Sequence, residues 1–193
     1  SADLHRVEPA GHADVQVIPS GPGESDDAIL QMLLGMIHGA RHELVLTTPY
    51  FVPDDSMLRA FRGAAGRGVK VDLVVPAKVD STMVRYASRS YYDDLMDAGV
   101  HIRPYRGGLL HTKSITVDGE ISMFGTVNLD MRSLWLNYEV TLFVYGNDFG
   151  GRLRDLQLSY LEHCTLVDRK QWLDRPLHSR LAENTARLVS PLL

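Results

Sequence analysis

The sequence predicts an α/β protein with a mixed central sheet, and three observations carry that prediction. Between residues 15 and 105, four strand signals alternate with three helix signals, the rhythm of a sheet covered by helices. After that the rhythm changes: two apolar runs flank Asp118-Gly119, a two-residue hairpin signal that adds antiparallel strands. The chain is also long enough, at 193 residues with 45% hydrophobic and 23% charged, to bury such a core as one domain without disulfides or a structural metal.

Each element has a local reason. Val15–Ile18 is a short strand closed by the turn cluster Pro19-Ser20-Gly21-Pro22-Gly23. Asp26 or Asp27 caps a helix running to about His38, with Ile29, Leu33, Met36 and Ile37 on one face. Glu43–Thr48 is an apolar strand ending at Pro49-Tyr50-Phe51-Val52-Pro53. A helix from Asp54 or Asp55 stops at Gly66-Arg67-Gly68, where glycine supplies the left-handed cap. Val69–Val75 is the next strand, then a long helix over about Ser81–Ala98, then Val100–Tyr105. Thr112–Val117 and Ile121–Phe124 form the hairpin, and Tyr138–Tyr145 is a further strand. Helix returns from about Phe149 to His163, and again in the tail from Arg175 onward. Residues 1–13 read as a flexible N-terminal segment and 14–193 as the domain.

Composition removes several function classes. Twenty Lys and Arg against 24 Asp and Glu give a net charge of −4, so a general nucleic-acid coat is not expected. The charge is uneven, with nine basic and five acidic residues over 59–106, which suits either a solvated face or a surface turned toward an anionic partner. Cys164 is the single cysteine, which excludes an internal disulfide and a multi-cysteine zinc site. No stretch approaches the roughly 20 apolar residues of a membrane helix. There is no signal peptide, and the start at Ser1 suggests a piece cut from a longer chain.

The chemistry concentrates between residues 111 and 139. In extended chain His111 and Lys113 point to the same side, so an imidazole and an ammonium share a face. Asp118 sits at the turn, and Thr126 and Asn128 follow the second strand. This set suits a phosphodiester. Lys113 supplies a point charge and Asn128 an amide N–H for anionic oxygens, with the Thr126 hydroxyl beside them, while the His111 imidazole can attack phosphorus or carry a proton. The other histidines, His5, His12, His38, His42, His101, His163 and His178, have no ligand spacing, and no metal site is expected.

His-x-Lys-x4-Asp-x6-Gly-(Ser/Thr)-x-Asn, spanned here by His111 to Asn128, is the signature of the phospholipase D superfamily, with Thr126 where Ser is usual. The segments 48–53, 108–113 and 125–139 and the closing Ser190-Pro191-Leu192-Leu193 resemble the C-terminal half of the bacterial cardiolipin synthases. The resemblance implies a phospholipase D-like α-β-α sandwich, the second of two such domains in a parent enzyme. Implied too is phosphatidyl transfer between two phosphatidylglycerol molecules through a phosphohistidine, giving cardiolipin and glycerol without cofactor or metal. By the same likeness Glu139 orients the ring of His111, whereas a glutamate at the rim paired with Arg132 is the plainer reading. Asp118, counted with the catalytic set, would support the fold around the site rather than touch phosphate.

Only one His-x-Lys occurs in the chain, so half a site is present. The expected partners are anionic phospholipid and either an N-terminal phospholipase D-like half or a second copy of this chain. In two-motif relatives the first motif's histidine is the usual nucleophile, which would make His111 the acid and base. The competing functions are a homodimeric single-motif phosphodiesterase or nuclease, and a binding module that grips headgroups without turnover. The parent would sit at the bacterial inner membrane, and this fragment would be soluble. Tyr50, Phe51 and Trp135 could line a lipid cleft or pack in the core, and Arg132 could hold a second phosphate or an ion pair. Leu177, Leu181, Leu188 and Leu192 form one helical stripe bordered by Arg175, Arg180 and Arg187, suited to an anionic lipid surface or to packing on the domain or on a missing half.

Overall fold

Apolar strands separated by capped helices build one seven-stranded mixed sheet with helices on both faces. The computed structural model describes residues 11–23 and 27–189. In chain order the elements are β1 (Asp14–Ser20), α1 (Ala28–Gly39), β2 (Glu43–Thr47), β3 (Phe51–Val52), α2 (Asp55–Gly66), β4 (Lys70–Pro76), α3 (Thr82–Arg89), α4 (Tyr92–Asp97) and β5 (His101–Tyr105). They continue with β6 (Ser114–Val117), β7 (Ile121–Gly125), β8 (Leu129–Asp130), α5 (Met131–Trp135), β9 (Glu139–Tyr145), α6 (Asn147–Leu161), α7 (Arg169–Leu173) and α8 (Leu177–Val189).

The sheet runs β1-β9-β7-β6-β2-β4-β5. β2, β4 and β5 are parallel, as helical crossovers require, and the β1, β9, β7, β6 side is antiparallel and joined to β2. Leu33 and Ile37 of α1 and Met57 and Phe61 of α2 share one core with Leu44, Leu46, Leu73 and Phe143 of the strands. On the opposite face α6 docks through Gln157, which is wholly buried and bonded to Val45, Ser114 and Thr116.

Several expectations are corrected. The single helix over 81–98 is two, α3 and α4, because the Ser90 hydroxyl donates to the Ala87 carbonyl at 2.6 Å and the next amides make tighter i−3 bonds. β6 begins at Ser114 rather than Thr112, so His111 to Lys113 form an extended lead-in, although the Gly125 amide still bonds the Lys113 carbonyl. The hairpin holds an extra residue: Asp118 and Gly119 have φ of 54° and 70°, but pairing resumes only at Val117 with Ile121. β1 is longer than 15–18 and includes Pro19, which an edge strand tolerates. Asp27 occupies the N-cap of α1 without a side-chain cap bond, while Asp54 and Ser81 cap α2 and α3 as their positions suggest.

The tail differs most. Helix begins at α7, earlier than Arg175, and breaks at Pro176 before α8. Leu177, Leu181 and Leu188 face outward, the last 81% exposed, whereas Glu183 is 2% exposed beneath Arg89 and Arg175. The leucine stripe is therefore not how α8 packs on the domain; it does so through ion pairs and the stacking of Arg187 over Tyr91. Asp26, residues 1–10 of the N-terminal segment with His5, and residues 190–193 with Leu192 lie outside the described residues.

Candidate active site

Strand register brings the signature residues other than Asp118 to one end of the sheet. There Thr47 closes β2 opposite Ser114, which opens β6, while Gly125 closes β7 opposite Thr141 of β9, and Glu139 opens β9 opposite Ser20. Gly125 is fixed by sterics: a Cβ there would lie 2.3 Å from the Val140 carbonyl oxygen, so only glycine lets β7 and β9 meet at this point.

His111 sits exposed at the mouth of this end, and no hydrogen bond from the described residues restrains its ring. Lys113 is half-buried behind it and donates from Nζ to the carbonyl of His111 at 3.0 Å. Burial lowers the pKa of Lys113, and the carboxylates of Glu139 and Asp130 act against that shift, which places both acids near the ammonium. Glu139 is 8% exposed and accepts from Asn137 Nδ2 at 3.2 Å. That burial removes the rim pairing with Arg132, and the bond expected from His111 to Glu139 is not formed in this structure. Asn128 donates to Ser133 Oγ at 3.1 Å, and its buried Oδ1 has no partner among the described residues.

Two signature residues have structural tasks. Thr126 Oγ1 accepts from the Val140 amide at 2.9 Å, so the hydroxyl expected on phosphate also ties the end of β7 to β9. Asp118 stands at the far end of β6 from His111. Its Oδ1 accepts from the amides of His42 and Glu43, both at 2.8 Å, and its Oδ2 from Arg41 at 2.9 Å. Partial burial would raise this carboxyl, but the three amides outweigh it and hold the pKa below its ordinary value.

A cleft of about 320 Å³ opens beside Asn128, lined also by Tyr50, Asp80, Asp130, Arg132 and Asn137 among others. Tyr50 donates to Asp80 there at 3.1 Å, while Phe51 turns inward, 1% exposed, against Phe61 and Tyr91. The two aromatics thus divide between cleft and core, and Trp135 lies at the surface. Sequence reasoning missed Asp80, Asp130 and Asn137. The readable signal was Asp130 three residues before Ser133, a cap that binds the Ser133 amide at 2.7 Å and seats the loop after Asn128. The two-residue pairing of β3 with β8, which sets Tyr50 across from that loop, is too short to leave a pattern. Among the described residues no group of three or more His, Cys, Asp or Glu side chains could hold a metal ion.

Residues 33–156 match the family model described as cardiolipin synthase, PLD-like domain. The chain belongs to that family. Cardiolipin synthase A of Yersinia pseudotuberculosis is 50% identical to it over 186 residues, covering 96% of this chain and 38% of the relative. The protein of the same name in Edwardsiella ictaluri is 50% identical over 184 residues, again 38% of its length. This member of the cardiolipin synthase domain family thus spans well under half of the curated relatives it matches. Its fold is that of the phospholipase D family member Nuc from Salmonella typhimurium, with a TM-score of 0.68 at 18% identity, covering 80% of this chain and 98% of Nuc. Phosphatidylserine synthase from Haemophilus influenzae gives a TM-score of 0.72 at 17% identity, covering 97% of this chain but 49% of that one. The expected phospholipase D-like sandwich with a mixed sheet is therefore correct.

Proposed function

We propose that this domain is the second half of a phosphatidyltransferase that makes cardiolipin and glycerol from two phosphatidylglycerol molecules. The observation that carries the reading is the convergence of an exposed imidazole, a half-buried ammonium and a buried carboxylate at one sheet end, in a chain of the cardiolipin synthase family. Lys113 and the Asn128 amide hold the non-bridging phosphate oxygens, and their charge and dipole count most as negative charge builds in the transition state. An imidazole from a second motif attacks phosphorus. The bond from phosphorus to the leaving glycerol oxygen breaks, and His111 gives that oxygen a proton. His111 then takes the proton of the acceptor's hydroxyl as that oxygen attacks and the phosphorus–nitrogen bond breaks. One phosphodiester replaces another, so no nucleotide is consumed. Glu139, next to Lys113, turns toward His111 once the imidazolium forms, holding ring and charge.

A homodimer of this chain is the second reading, since the sequence holds one His-x-Lys and a copy would supply the other. The N-terminal half is preferred because the relatives extend well beyond the matched region. No helix among the described residues is long and apolar enough to cross a membrane. In this reading the domain meets lipid at the membrane surface, with any anchor elsewhere in the parent at the inner membrane.

The test is phosphatidyl transfer by this domain joined to its N-terminal half, on phosphatidylglycerol vesicles. His111→Ala should reduce cardiolipin formation by about 10³-fold or more, and Lys113→Ala by about 10²-fold to 10³-fold. Full activity in His111→Ala would remove the imidazole from the mechanism.

A further inference from the structure

We propose that the cleft beside Asn128 is a vicinal-diol subsite that receives the glycerol headgroup of the acceptor lipid. The inference rests on the phosphatidyl-transfer reading and goes beyond it by naming what the acceptor side of the site recognises and with which residues. The cleft adjoins the site directly, because Asn128 belongs to both. At about 320 Å³ it has room for a three-carbon polyol, given that one water takes roughly 30 Å³.

Its lining decides the chemistry. Asp80 and Asp130 present two carboxylates against the single guanidinium of Arg132, a balance unsuited to a bare phosphate. Tyr50, Ser81, Ser133 and Asn137 add groups that donate or accept, and Asn128 Oδ1 is a buried acceptor still lacking a donor among the described residues. A hydroxyl both donates and accepts, so two adjacent hydroxyls satisfy carboxylates and donors together. An ammonium headgroup only donates, and it would stand beside Arg132. The Tyr50–Asp80 pair bridges the loop after β2 to the N-terminus of α3, with Asp80 also accepting from the Ser81 amide at 2.8 Å. That pair forms a fixed wall to which a diol can bond at the carboxylate. Val52 and Val84 give the carbon face something apolar to rest on.

The experiment is titration of this chain, followed by amide NMR shifts, with three soluble probes: glycerol 3-phosphate, which carries the diol, phosphoethanolamine, which carries none, and inorganic phosphate. Glycerol 3-phosphate should bind about tenfold more tightly than phosphoethanolamine and shift Tyr50, Ser81 and Asn137. Asp80→Asn and Tyr50→Phe keep the local volume, and the carboxamide oxygen that replaces the Asp80 carboxylate can still accept from the Ser81 amide. Each substitution should erase that preference while inorganic phosphate affinity stays as in the parent chain. Equal binding of the two headgroups, or a preference that survives both substitutions, would overturn the subsite. Headgroup selection without phosphate binding dependent on Lys113 would uphold the diol site and instead sink the transfer reading.

Discussion

Asp118 shows what one signature residue does away from the reacting atoms. It adopts a φ of 54°, which Asp tolerates better than most residues, and commits both carboxylate oxygens to the amides of Arg41, His42 and Glu43. The β6–β7 turn is thereby tied to the start of β2, so the strand that leads from His111 is held at its far end. Asp118→Asn keeps the turn conformation but puts an amide donor or a neutral oxygen where charge is wanted, and should cost about 1–3 kcal/mol in denaturant unfolding. The pH dependence has a definite sign. A carboxyl held below its unfolded value of about 3.9 stabilises the fold above that pH, and the contribution fades as pH falls through the lower folded value. The variant should therefore lose stability less steeply than the parent below pH 4, and identical acid profiles would contradict this account. His111, Lys113 and Asn128 are legible in the sequence because the motif's residue types and spacing are chemically constrained. The strand tie made by Thr126 is not, because a hydroxyl beside a phosphate site carries no sequence sign of a bond to the Val140 amide.

At the scale of elements, α6 fixes the sheet beneath the site. Gly150 lets the helix approach so closely that a Cβ would lie 2.2 Å from the Gly119 carbonyl oxygen. Gln157 reaches between β2 and β6, donating to Val45 at 3.2 Å and Ser114 Oγ at 3.1 Å and accepting from Thr116 Oγ1. Ser114 Oγ in turn lies 2.6 Å from Thr47 Oγ1 at the strand ends that bear the site. Gln157→Ala would leave a cavity and several buried groups without partners, and thermal or denaturant unfolding should show a loss of about 2–4 kcal/mol. A loss under about 0.5 kcal/mol, the size of an ordinary surface change, would mean the network does not hold the helix. Strands and the first two helices are legible from apolar period and caps. The break between α3 and α4 is not, since Ser90 ends the helix through a bond to its own preceding turn rather than through Gly or Pro. The leucines of α8 suggest its packing face, yet it packs through Glu183, whose burial depends on Arg89 from distant sequence and on Arg175 just ahead of the helix. Those exposed leucines keep both the lipid-surface and the missing-half readings open for α8, while its charged face is already engaged.

Across the whole molecule, one sheet end carries His111 with no ring hydrogen bond from the described residues, a lysine bonded to that residue's backbone, and a buried glutamate to which the expected histidine bond is not made. On the proposed reading, such a site has groups to hold phosphate and takes its nucleophile from a second motif. The sequence points to this reading by containing a single His-x-Lys, whereas the geometry that would receive a second histidine depends on atoms outside this chain. The direct test is cardiolipin formation from phosphatidylglycerol vesicles by this chain alone, over a wide range of protein concentration, then with its N-terminal half added. The account predicts no turnover from the chain alone while circular dichroism shows it folded, and activity that appears on adding the N-terminal half and is abolished by His111→Ala. Activity from the chain alone at a rate per molecule independent of concentration would contradict the central claim that this domain holds half of a two-histidine site.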